Sequence, residues 1–149
     1  MTDKVWLTIT FPPTFGHVDL VRAALQGICR ERFTRLDAAE ATDDFCLAAT
    51  EAMNNAVEHA TAPEVVVELL LDVGEAGLRI STEGPPFDPT GPAAMPAFDA
   101  DGDLPEGGFG LALIQELADR IDYVYRDRRN VLTIYKLFHC KPKEETDGD

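Results

Sequence analysis

Cysteine is scarce in this chain, and the three present are too widely spread to build a framework. Cys29, Cys46 and Cys140 are odd in number and form no CxxC pair, which argues against a disulfide scaffold and against a zinc site of the usual spacing. A reducing, cytoplasmic setting is the expectation. Long apolar runs are also lacking: none approaches membrane-spanning length, and Lys4 to Phe11 alternates where a signal peptide would carry an unbroken apolar core. Positive charge is in short supply as well. Thirteen basic residues against twenty-seven acidic ones give a net charge of −14, which repels nucleic acid and anionic lipid, so neither is expected as a direct partner. An anionic phosphate ligand would need local backbone donors and a divalent cation to meet its charge.

What is present is one domain's worth of chain. At 149 residues it can bury roughly two-thirds of its unfolded surface without covalent help. Lys4 to Phe11 alternates like a strand until Pro12 and Pro13, and His17 to Phe33 carries a helical stripe through Val18, Val21, Leu25, Ile28 and Cys29. After a polar turn at Arg35 to Thr42 a second helix is expected, with Thr42 as its N-cap and Asp43 and Asp44 in its first turn. Glu64 to Leu71 and Leu78 to Ser81 read as a hairpin about Gly74. From Gly84 to Gly108 the chain is rich in Pro, Gly, Ala and Asp, long for a loop in a compact domain, and Pro92 to Gly107 is expected to act as a lid. Leu111 to Ala118 reads as a helix, and Ile121 to Arg126 and Val131 to Phe138 as strands turning at Asp127 to Asn130. The order β-α-α-β-β-loop-α-β-β fits an α+β fold, with helices on one face of a mixed, mostly antiparallel sheet. Residues 1–140 form the expected domain, and 141–149 an acidic, disordered tail.

The second helix carries the densest chemistry. Phe45, Ala48, Ala49, Ala52, Met53, Ala56, Val57 and Ala60 make its apolar stripe, while Glu51, Asn55 and His59 recur every four residues on a neighbouring face. A carboxylate and a carboxamide stacked one turn apart can converge on one ligand. Periodicity alone is equally satisfied by the solvated side of an amphipathic helix. Against that, Asn54 and Asn55 in succession sacrifice helix propensity.

Two further segments stand out. Ser81-Thr82-Glu83-Gly84-Pro85-Pro86-Phe87-Asp88-Pro89 makes a rigid turn at a strand end, and Pro105 to Ile114 places a glycine cluster at a helix start, where backbone N–H groups can approach phosphate oxygens. A flexible hinge is the alternative for the glycines. The cluster follows a long loop and lacks Gly-Lys-Ser/Thr, so it is neither a dinucleotide-binding fingerprint nor a P-loop.

Taken together, the three segments resemble the ATP-binding boxes of the superfamily of DNA gyrase, heat-shock chaperone ATPases, sensor histidine kinases and mismatch-repair ATPases. Within it they look most like the anti-sigma factor serine/threonine kinases of bacterial partner-switching systems, from Lys4 to Phe138. Glu51, Asn55 and His59 match the asparagine box; Gly84, Phe87, Asp88 and Pro89 match the family's turn; Gly108, Gly110, Leu111, Leu113 and Ile114 match its glycine box. The resemblance implies a two-layer α/β sandwich of the Bergerat ATP-binding type. It further implies that Asn55 holds the Mg²⁺ of ATP and Glu51 accepts the proton of the attacking hydroxyl. His59, Gly84, Phe87, Gly107, Gly108, Phe109, Gly110 and Leu111 would line the nucleotide site.

One position departs from the pattern. Where the family carries an Asp that accepts a hydrogen bond from adenine, this chain has Thr82, a neutral acceptor; Thr133, in the last strand, resembles a second adenine-holding position. The function implied is an anti-sigma factor that binds ATP·Mg²⁺, phosphorylates a serine or threonine of an anti-anti-sigma antagonist, sequesters an RNA polymerase sigma factor and forms a homodimer. The rival is a kinase-inactive binding module of the same fold, which Thr82 keeps in view.

Overall fold

In the computed structural model, residues 4–34, 38–87 and 109–138 are described. The expected lid at Pro92 to Gly107 and the expected tail at 141–149 lie outside them. The order is β1 (Val5–Phe11), α1 (Phe15–Arg32), α2 (Ala38–His59), β2 (Val65–Leu71), β3 (Glu75–Glu83), α3 (Phe109–Leu117), β4 (Arg120–Arg126) and β5 (Arg129–Leu137). The sheet runs β1-β2-β3-β5-β4. Every ladder among the described residues is antiparallel, so their sheet is not mixed. Hairpins β2–β3 and β4–β5 account for two of those ladders, and β5 enters beside β3 after α3.

One face of the sheet is covered. Val65, Val67, Leu69, Leu71, Leu78, Ile80, Leu132 and Ile134 alternate onto it and join Phe45, Ala49, Ala52 and Met53 of α2 in a single core. Helix α2 lies against β3 and β5, and α1 and α3 both pack on α2. Phe33, beyond the end of α1, stacks on Phe138, beyond the end of β5, with ring centroids 3.9 Å apart. That contact ties the first helix to the last strand.

Three boundaries differ from expectation for identifiable reasons. Thr42 does not cap α2: the helix runs upstream through Ala38, Ala39, Glu40 and Ala41, good helix formers. Thr42 is instead fully buried, and its hydroxyl has no hydrogen-bond partner among the described residues. Strand β3 begins at Glu75 because Gly77 pairs with Tyr135, whose ring covers the bare backbone: a Cβ on Gly77 would lie 3.0 Å from Tyr135 Cδ1. The β4–β5 turn is only Asp127-Arg128, with φ of 54° and 66°, the left-handed pair of a type I′ turn. Asn130, expected in that turn, belongs to β5.

Candidate functional site

Between α2 and the end of the sheet lies a recess open to solvent. Helix α2 contributes Ala52, Asn55, Ala56 and His59, strand β3 contributes Ile80 and Thr82, and strands β4 and β5 contribute Tyr123, Asn130 and Leu132. Phe87, four residues beyond β3, completes the lining. Four of the expected residues therefore meet: Asn55, His59, Thr82 and Phe87. They converge because α2 places positions four apart on one edge, and because Ile80 and Thr82 alternate onto the covered face of β3.

Asn55 is the polar group at the helix side. Its Nδ2 is buried and has no hydrogen-bond partner among the described residues. A half-turn of the carboxamide exchanges nitrogen for oxygen at that point, and a neutral oxygen is a hard ligand suited to Mg²⁺. The residue thus fits a metal-bridged phosphate. Glu51, one turn earlier, is half-buried and stands outside the recess lining. His59 stacks on Phe87, with centroids 4.0 Å apart and planes 22° from parallel, so its ring forms wall.

Gly84 has a steric reason to be glycine. A Cβ there would lie 2.6 Å from the carbonyl oxygen of His59, so the turn after β3 can seat on the C-terminal end of α2 only without a side chain. Nearby, the Thr61 N–H donates to Glu83 O at 2.9 Å, fastening the exit of α2 to the end of β3. Thr82 is 3% exposed and directly opposite Asn130 in the β3–β5 register. The expected adenine pair of Thr82 with Thr133 does not form. Thr133 is adjacent in sequence to Leu132, which lines the recess, so strand alternation sends it to the other face, across from Arg79.

In its place stands a residue that the sequence reading put in a turn. Asn130 is 8% exposed, donates from Nδ2 to Pro85 O at 2.8 Å, and accepts at Oδ1 from the Phe87 N–H at 2.8 Å and from the Tyr123 hydroxyl. The signal was available: counting β5 two residues upstream puts Asn130 in phase with Leu132 and Ile134, a polar residue on a core face. Of the glycine-box residues, Phe109 and Gly110 open α3, Leu111 lies half-buried in its first turn, and Gly107 and Gly108 fall outside the described residues. The far end of α3 is pinned, since Lys136 Nζ donates to Leu117 O at 2.8 Å and lies 3.6 Å from Asp44 and 3.8 Å from Asp119.

The described residues contain no cluster of three or more His, Cys, Asp or Glu able to hold a metal, so a cation here would depend on Asn55 and its ligand's own oxygens. Cys29 and Cys46 are buried free thiols. Burial, with a further push from Cys46, raises the Cys29 thiol to about 12, and burial, with Asp43 nearby, raises Cys46 to about 11. Both are packing residues held protonated and unreactive.

Comparison with known proteins bears on this geometry. The family model described as the histidine kinase-like ATPase domain matches residues 11–136. The serine-protein kinase RsbW of Listeria monocytogenes serovar 1/2a is 32% identical, over 97% of this chain and 94% of the relative. That of Staphylococcus aureus strain RF122 is 28% identical over 88% of this chain and 86% of its own length. The serine/threonine-protein kinase BtrW of Bordetella bronchiseptica is 34% identical over 59% of this chain and 65% of the relative. Among solved structures, the RsbU and RsbW domains of a Mycobacterium tuberculosis protein superpose with a TM-score of 0.63 at 21% identity, covering 91% of this chain and 33% of that longer one. At that identity the likeness concerns the fold.

Proposed function

From the premise that this chain belongs to the histidine kinase-like ATPase domain family, and within it to the RsbW group of serine-protein kinases, we propose that it is an anti-sigma factor kinase. It binds ATP·Mg²⁺ in the recess beside α2 and phosphorylates a serine or threonine of an anti-anti-sigma protein. In alternation it sequesters an RNA polymerase sigma factor, acting as a cytoplasmic homodimer. The observation that carries this reading is the buried Nδ2 of Asn55, without a hydrogen-bond partner among the described residues, at the wall of a recess otherwise lined mainly by apolar and aromatic groups.

Bound there, ATP·Mg²⁺ would supply the phosphoryl group and the cation that neutralises its charge. The residues of the chain do the rest. Asn55 would hold the metal through its amide oxygen, and the glycine-box segment Gly107 to Leu111 would offer backbone N–H groups to the phosphates. Glu51, one helical turn before Asn55, would take the proton of the attacking hydroxyl. Thr82 would offer the adenine a neutral acceptor, and Phe87 and His59 would exclude water at its side.

Glu51→Gln tests the chemical step. The amide keeps size and hydrogen bonding but not basicity, so ATP binding should persist while transfer of labelled phosphate to an anti-anti-sigma protein falls roughly 100-fold or more. Full transfer by that variant would remove Glu51 from the mechanism. Thr82 favours one second reading, a protein-binding module without kinase activity; a wild type that binds both protein partners but transfers no phosphate would establish it.

A further inference from the structure

The turn that follows β3 reads Gly84-Pro85-Pro86-Phe87, and its two prolines leave only the Gly84 and Phe87 N–H groups as backbone donors. Both are engaged by the β4–β5 hairpin. The Gly84 N–H donates to Arg128 O at 3.1 Å, and the Phe87 N–H donates to Asn130 Oδ1 at 2.8 Å and to the Tyr123 hydroxyl oxygen at 3.1 Å. Two carbonyls of the turn are held by the same hairpin. Pro85 O accepts from Asn130 Nδ2 at 2.8 Å, and Gly84 O accepts from the Tyr125 hydroxyl at 3.0 Å. Asn130 alone grips both ends of Pro85–Phe87, and the Tyr123 hydroxyl, donating to Asn130 Oδ1, fixes which end of the amide faces which partner.

We propose that Asn130 is a positioning residue for nucleotide binding: with Tyr123 it clasps the backbone of Pro85–Phe87 and so keeps Phe87 stacked on His59 at the wall of the recess. The part that concerns nucleotide rests on the ATP-binding reading given above. A buried asparagine in a strand could serve only its own hydrogen bonding, but here the three hydrogen bonds of its side chain among the described residues converge on the turn and on the tyrosine beside it. The hairpin tip is itself built on two non-glycine residues at positive φ, Asp127 and Arg128, a conformation that persists where surrounding contacts determine it. The Arg128 carbonyl that receives the Gly84 N–H comes from this turn. Side chain and main chain of one hairpin thus set the position of Phe87.

The test uses the whole chain and two readings: the NMR resonances of the His59 ring protons, and the affinity for ADP by calorimetry. An aromatic ring stacked 4.0 Å away displaces those resonances, and Phe87→Leu gives their unstacked position. In Asn130→Leu the His59 signals should move toward the Phe87→Leu position, and ADP affinity should fall roughly tenfold, the scale of one or two lost neutral hydrogen bonds. His59 signals at their wild-type position in folded Asn130→Leu would overturn the clasp, and moved signals with unchanged ADP affinity would overturn its role in nucleotide positioning. If Asn130→Leu does not fold, Asn130→Thr, too short to reach both Pro85 O and Phe87 N, decides by the same readings. A wild type that binds no ADP while the His59 signals respond overturns the ATP-binding reading and supports the clasp.

Discussion

Thr82 stands where the resemblance to the family's ATP-binding boxes would put an Asp, and its burial sets the size of the effect. A hydrogen bond to a charged acceptor contributes about 1.5–3 kcal/mol and one to a neutral acceptor about 1, so Thr82→Asp should tighten ATP binding roughly two- to thirtyfold. Discrimination against GTP should rise with it, as titration of both nucleotides would show; a variant that gains nothing would mean that the neutral pair facing each other across β3 and β5, Thr82 and Asn130, already suffices. Cys29 and Cys46 set a pH dependence that has nothing to do with nucleotide. Their thiols ionise near 9.0 when unfolded and only at about 12 and about 11 when buried, so the folded state holds more protons in between. Stability from this source is complete below pH 9 and is lost as pH rises toward the folded values. Denaturant melts of the wild type and of the Cys29→Ala/Cys46→Ala double variant between pH 8 and about 11 should diverge in slope, and parallel curves would refute the burial account. At this scale the sequence spoke clearly for Asn55, whose place on a helix edge follows from spacing alone. It spoke misleadingly for Asn130, because Asn beside Asp and two Arg residues imitates a turn until the strand phase is counted.

At the level of elements, the turn after β3 shows how a helix end and a strand end make one site. Gly84→Ala puts a methyl group 2.6 Å from the His59 carbonyl oxygen, a backbone atom that can move only with α2. The expected cost is about 1–3 kcal/mol of stability, as for overpacking elsewhere, with the Phe87 stack displaced as well. Thermal melts would check the first effect, and an unchanged midpoint would show that turn and helix are not seated together. The α2 stripe and the strand alternation in β1 and β2 were legible because period and burial coincide there. The start of β3 was not: Gly77 reads as a break, and only Tyr135, 58 residues away in sequence, makes it a strand position. The start of α2 was missed for the opposite reason. A strong capping residue, Thr42, sits inside a run of helix formers, and propensity upstream outweighed the cap.

For the whole molecule, a charge of −14 disfavours nucleic acid and anionic lipid, and no helix among the described residues is long and apolar enough to cross a membrane. An acidic protein repels free ATP, so binding at the proposed site would require a divalent cation, held by Asn55. Asn55 is only half-buried and off the core stripe, so removing its amide should leave the fold intact. The decisive measurement is calorimetric titration of ATP, with and without Mg²⁺, into the wild type and Asn55→Ala, with thermal melts of both. The expected result is Mg²⁺-dependent binding by the wild type that falls at least about tenfold in a variant of unchanged melting temperature, the scale of one lost metal-held contact. Equal Mg²⁺-dependent affinity in a folded Asn55→Ala variant, or binding by the wild type that is indifferent to Mg²⁺, would contradict it.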